Sequence, residues 1–211
     1  PDAYVRERCR RIADLLLARG IDLMVVACNT ATAVAVDELR TCWPTLPIIG
    51  VEPGVKPATQ ITRNGRIAVL ATAGTLASRR YAALIERYAQ DRSILPVACD
   101  GLAGALERHG ADTPPVLDLV NRYASQVKDA GCDTAVLGCT HYEIIADIFR
   151  AALPAGTPLI QQPEATADAL ELYLERHPEY DPGQGGSRVF LTTGAPGRSA
   201  SSTSSTAGRS S

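Results

Sequence analysis

Short apolar runs alternate with longer amphipathic stretches through most of this chain, and the alternation predicts its elements. Residues 3–19 place Val5, Cys9, Ile12 and Leu16 on one helical face, with Asp2 available as a cap and Gly20 as a stop. Leu23–Ala27 is an apolar run with valines, a core strand, and it leads into helical material from Thr30 to Arg40 that stops near Trp43-Pro44. Pro47–Val51 is a short buried strand, and Val55–Ile61 makes one or two helical turns. Ile67–Ala71 is a further strand; the polar turn Thr72–Thr75 opens a helix with Tyr81, Leu84, Ile85 and Tyr88 on one face.

Leu95–Cys99 reads as an edge strand because Pro96 lacks the N–H that an interior strand must donate. A short helix follows from Gly101 to His109, and Pro114-Pro115 starts another, in which Leu117, Val120, Ala124 and Val127 align. Thr134–Gly138 is a strand, Cys139–Tyr142 a turn and Glu143–Phe149 a helix. Leu159-Ile160, a helix over Ala165–Arg176 and a last strand over Val189–Thr193 complete the pattern. Strands separated by helices predict an α/β fold with parallel sheets covered on both faces. From residue 195 the composition falls to Ser, Thr, Gly, Ala, Pro and Arg, and 195–211 are expected to be disordered.

Two of the strand-to-helix junctions carry a cysteine. Cys28-Asn29-Thr30 and Cys139-Thr140-His141 stand 111 residues apart in matching contexts, each at the carboxyl end of a strand. In open α/β sheets ligands bind there, and a helix amino end favours an anion or a thiolate. Asn29, Thr30 and Thr140 add amide and hydroxyl groups suited to a carboxylate, and His141 is placed to tune Cys139 or assist its proton traffic. The other cysteines, Cys9, Cys42, Cys99 and Cys132, form no C-x-x-C pair and read as reduced core or surface residues, as expected in a cytoplasm. Zinc held by Cys28, Cys139 and His141 would lack a fourth ligand and the usual paired spacing. A Cys–His hydrolase built on Cys139 would leave Cys28 without a role.

The remaining composition excludes several classes. The 211 residues carry a net charge of −2 and 45% apolar side chains, ordinary for a globular chain of one large or two small domains. The arginines are scattered, which gives no footprint for nucleic acid. No apolar run is long enough to span a membrane, and residues 1–20 lack the apolar core of a signal peptide. His109 and His177 fall among charges and read as surface residues.

Ala27-Cys28-Asn29-Thr30-Ala31-Thr32 and Leu137-Gly138-Cys139-Thr140-His141-Tyr142 resemble the two signature motifs of the glutamate racemases, in the aspartate/glutamate racemase superfamily. Gly50–Gly54 and Ala71–Ser78 resemble that family in the same order. The resemblance implies two similar parallel-sheet α/β domains with the active site in the cleft between them: residues 1–55 with 163–194, and 56–162. It implies cofactor-independent racemisation of glutamate, with Cys28 acting on the D-enantiomer and Cys139 on the L-enantiomer. Asn29, Thr30, Thr140 and His141 would contact substrate, Thr72 and Thr75 would help hold its side-chain carboxylate, and Glu107 would lie near the cleft. The product would be D-glutamate for peptidoglycan; a homodimer is left open. An aspartate racemase and a non-catalytic amino-acid-binding module are the alternatives.

The chain departs from the family pattern in two places. Glu143 stands where the family usually has proline. The family's N-terminal Asp-Ser-Gly segment and Pro-Tyr-Gly turn have no counterpart. The first domain is therefore expected to be incomplete, with an incompletely paired sheet, and the activity of the chain by itself is left open.

Overall fold

The computed structural model describes residues 2–181, 183 and 188–192. Contacts group residues 1–180 into one unit and residues from 181 onward into another. The tail expected over 195–211 lies outside the described residues.

In the first unit, α1 (Asp2–Leu17), β1 (Met24–Val26), α2 (Asn29–Cys42) and β2 (Ile48–Gly50) form one layer pair. Strands β1 and β2 run parallel, with Val25 opposite Ile49. Met24 and Ile48 pack against Ala35, Val36 and Leu39 of α2 and Ala13 of α1. The buried stripe of α1 therefore runs through Cys9, Ala13, Leu16 and Leu17, whereas Ile12, expected on the inner face, is 42% exposed. The i, i+3, i+4 spacing is kept, but the stripe is turned so that small Ala13 meets the sheet-side helix. Thr32 joins the two strands from α2: its hydroxyl donates to the Val26 carbonyl at 3.1 Å and accepts from the Val51 N–H at 3.1 Å. Among the described residues β1 pairs only with β2, and Val25 is 36% exposed.

The larger sheet is built wholly from residues 66–160. Strands β3 (Arg66–Ala71), β4 (Ser93–Ala98), β5 (Thr134–Gly138) and β6 (Leu159–Ile160) lie in the order β4-β3-β5-β6, all parallel. Pro96 sits on edge strand β4, where a missing N–H costs no interior bond. Residues 67–71 are fully buried, and alternate members serve opposite faces. Ala68 and Leu70 pack with Ala135 and Leu137 against α6 (Leu102–His109) and α7 (Pro114–Asp129). Ile67, Val69 and Ala71 pack with Val136 against α3 (Val55–Ile61) and α5 (Arg79–Tyr88). Both faces are covered, as a parallel sheet requires. On α7 the buried face is carried by Val116, Val120, Tyr123, Ala124 and Val127, with Leu117 at its margin.

Two expectations change. The helix after Cys139 is split into α8 (Thr140–Glu143) and α9 (Ala146–Ala152). The break lets Tyr142 and Phe149 both enter the core with their rings 6.2 Å apart, while Ile144 between them is 65% exposed. Of the strand expected over Val189–Thr193, Thr193 lies outside the described residues, and residues 188–192 carry no strand, with Val189 and Phe190 73% and 85% exposed. A short apolar run makes a strand only where a neighbouring strand and a core receive it.

Candidate active site

The two cysteines occupy equivalent places. Cys28 immediately precedes α2 with φ −145° and ψ 121°, and Cys139 immediately precedes α8 with φ −149° and ψ 131°. Both are extended residues at the point where a parallel strand turns into a helix, and neither thiol caps its own helix. Cys28 faces a helix of 14 residues and is exposed. Cys139 faces a single turn of 4 residues and is buried at the edge of the larger core. A helix of several turns therefore follows Cys28 alone.

The titratable side chain beside Cys139 is His141. Its Nε2 lies 2.7 Å from Glu107 Oε1 on α6. The hydrogen bond with Cys139, opposed by partial burial and reinforced by the Glu107 carboxylate, raises the imidazole to about 9. Glu107 thus reaches the second cysteine motif through His141. Cys99, which follows β4, is a core thiol: burial pushes it well above the ordinary range, with Cys139 and Asp100 adding to the effect. Its carbonyl accepts the Tyr142 hydroxyl at 3.1 Å, which ties β4 to α8.

The amino end of α2 docks onto the carboxyl edge of the larger sheet. In register, Ala71 pairs with both Ala98 and Gly138, so Cys99, Thr72 and Cys139 leave neighbouring strands at one level. Thr72 caps α4 (Ala73–Leu76) by accepting the Thr75 N–H at 3.2 Å. The hydroxyl of Thr30 lies 2.9 Å from that of Thr72 and 3.2 Å from that of Thr75, and Thr72 and Thr75 are 3.0 Å apart. Three hydroxyls from two strand ends close a triangle. The sequence motifs named all three threonines; the triangle itself was not foreseeable, because 42 residues separate its corners.

Asn29 is 4% exposed and pairs reciprocally with Gln162: Asn29 Nδ2 donates to Gln162 Oε1 at 2.8 Å, and Gln162 Nε2 donates to Asn29 Oδ1 at 3.2 Å. Gln162 lies two residues past β6, whose Ile160 pairs with Val136 of β5. Sequence reasoning missed it; a glutamine 133 residues away, before a proline-started helix, carries no local signal. Thr140 is half-buried as the first residue of α8. A shallow recess adjoins this seam, lined by Asn29, Thr75, Ser78, Arg80 and Tyr81, and does not include either cysteine of the motifs. Among the described residues no group of three His, Cys, Asp or Glu is arranged to hold a metal ion, and no helix is long and apolar enough to cross a membrane.

Residues 2–170 match the family model described as Asp/Glu/Hydantoin racemase. The chain is 43% identical over 196 residues to the glutamate racemase of Pseudomonas paraeruginosa, covering 92% of this chain and 73% of that protein. It is 44% identical over 223 residues to that of a Caulobacter species, covering 92% and 76%. Among solved structures, glutamate racemase isoform RacE1 from Bacillus anthracis matches with a TM-score of 0.83 at 27% identity, over 94% of this chain and 74% of that one. The Escherichia coli glutamate racemase, solved with L-glutamate and the activator UDP-MurNAc-ala, matches with a TM-score of 0.73 at 34% identity, over 83% and 66%.

Proposed function

We propose, since this chain belongs to the Asp/Glu/Hydantoin racemase family, that it interconverts L- and D-glutamate by two-thiol proton transfer without a cofactor. The observation that carries the reading is the equivalence of Cys28 and Cys139: the same residue, in the same backbone conformation, at two parallel-strand ends of one chain. Inversion at an α-carbon needs a base on one face and an acid on the other. One thiolate removes the α-proton and leaves the C–H electron pair on carbon. The opposite thiol gives its proton to the other face and becomes the thiolate, so that the reverse reaction starts from the exchanged states.

In this reading Cys28 serves the D-enantiomer and Cys139 the L-enantiomer. Thr30, Thr140 and the turn N–H groups receive the α-carboxylate, Asn29 adds its free amide hydrogen, and the Thr72–Thr75 turn helps with the side-chain carboxylate. His141, held as an imidazolium, offsets the charge of the Cys139 thiolate. The two-stranded sheet lies within residues 1–55 and the four-stranded sheet within 56–162, which supports a division into two halves, each giving one cysteine. The D-glutamate formed would serve peptidoglycan synthesis in the cytoplasm.

The test is to incubate the chain with each enantiomer of glutamate and follow the other by chiral chromatography, with no added cofactor. Both reactions should approach an equal mixture. Turnover of aspartate in place of glutamate would move the assignment to an aspartate racemase, and binding without turnover would make the chain an amino-acid-binding module.

A further inference from the structure

A continuous set of hydrogen bonds joins the two cysteine turns through a residue that touches neither thiol. On the Cys139 side, Glu143 ends α8, and its Oε1 accepts the Gln162 backbone N–H at 2.9 Å. With the Gln161 amide oriented to satisfy both neighbours, it donates to Glu143 Oε2 at 2.9 Å and accepts from Arg150 at 2.9 Å. Gln162 in turn precedes α10 (Pro163–Arg176), where its carbonyl accepts the N–H and the hydroxyl of Thr166, each at 2.9 Å. Its side chain then crosses to the residue after Cys28 through the reciprocal Asn29 amide pair. Gln162 is 4% exposed, and its backbone N–H, its carbonyl and both ends of its amide are engaged. A buried amide held by its partner's amide, on a backbone bonded at both N–H and carbonyl, is restrained in place. It also fixes Asn29, whose second amide hydrogen is left for another acceptor.

We propose that Gln162 is a positioning residue that holds the two thiol-bearing turns in register across the reacting carbon. This rests on the two-thiol reading above. Proton removal needs one sulfur placed, but inversion needs the second sulfur placed relative to the first at the same moment. If the link is cut, the carbanion is reprotonated more often by the cysteine that formed it. The substrate then returns with its configuration retained, carrying a solvent-derived proton whenever that thiol has exchanged with solvent.

The experiment compares the parent chain with Gln162→Leu and Glu143→Ala in heavy water. Inversion of D-glutamate is followed by circular dichroism, and deuterium entering the unreacted D-glutamate by mass spectrometry. In Gln162→Leu, kcat for inversion should fall at least about tenfold with KM within about threefold of the parent, and the ratio of retained exchange to inversion should rise severalfold. Glu143→Ala, at a half-buried position, should shift the ratio the same way and carries the test if Gln162→Leu does not fold. A residue that only stabilised the fold would lower the melting temperature and the active fraction without changing that ratio. An unchanged ratio in a folded, active variant therefore overturns the proposal. No interconversion by the parent chain would overturn the two-thiol reading and this role with it, whereas parent turnover matched by both variants would overturn this role alone.

Discussion

Cys28 and Cys139 differ by only 4° in φ and 10° in ψ, yet Cys28 is exposed while Cys139 keeps 8% of its surface. The backbone is set by the shared strand-to-helix junction; the burial is set by what each half packs around it. Cys139 leaves a strand flanked on both sides, whereas Cys28 leaves one that pairs only with β2 among the described residues.

That asymmetry predicts unequal access. Iodoacetamide should label Cys28 well before Cys139, with Cys42 as an internal exposed control and Cys99 and Cys132 protected. Site-resolved mass spectrometry reads the order directly, and equal rates at Cys28 and Cys139 would contradict the burial described above.

Replacing either thiol should remove inversion while leaving the fold. Serine is nearly isosteric with cysteine but far less acidic, so Cys28→Ser and Cys139→Ser should each lower racemisation by about 10²–10⁴-fold with little change in the melting curve. Parent-level turnover in either variant would rule out the two-thiol mechanism.

The charge on His141 should persist through neutral pH. Its hydrogen bond with Cys139 and then the Glu107 carboxylate raise the imidazole to about 9 against partial burial. Because the folded value is raised, the associated stabilisation is complete below the ordinary histidine range and is lost as pH climbs through about 9. Nuclear magnetic resonance of the ring protons should show titration well above the usual value. Glu107→Gln should lower the midpoint only in part, since the larger contribution is from Cys139; a midpoint near the ordinary value in the parent would contradict the contact.

Gly138 should tolerate no side chain. A Cβ built there would lie 2.8 Å from Ala71 Cβ and 3.3 Å from the Leu70 carbonyl oxygen, both on the adjacent strand. Neither can swing aside, so Gly138→Ala should cost about 1–3 kcal/mol of stability. It should also disturb the residue that follows it, Cys139. A urea melt and a racemisation assay together measure both effects; a parent-like midpoint would show that β3 and β5 have room to spread.

How much was written in the residues depends on the range of the interaction. The strand-and-helix pattern, the edge position of β4 and the placing of both cysteines at strand ends follow from local rules: valine-rich runs, a proline without its donor, polar turns after buried strands. The strand read over Val189–Thr193 shows the limit of those rules, since the apolar run Val189–Leu191 lies exposed. The threonine triangle, the Glu107–His141 pair and the Asn29–Gln162 amide pair join residues 34 to 133 positions apart. Which polar side chains meet at the end of a sheet depends on strand order and register, here β4-β3-β5-β6 with Ala71 beside Gly138. Sequence periodicity carries no information on that order. The residues that can do the chemistry were therefore legible one by one, and their partners only once the strands were placed side by side.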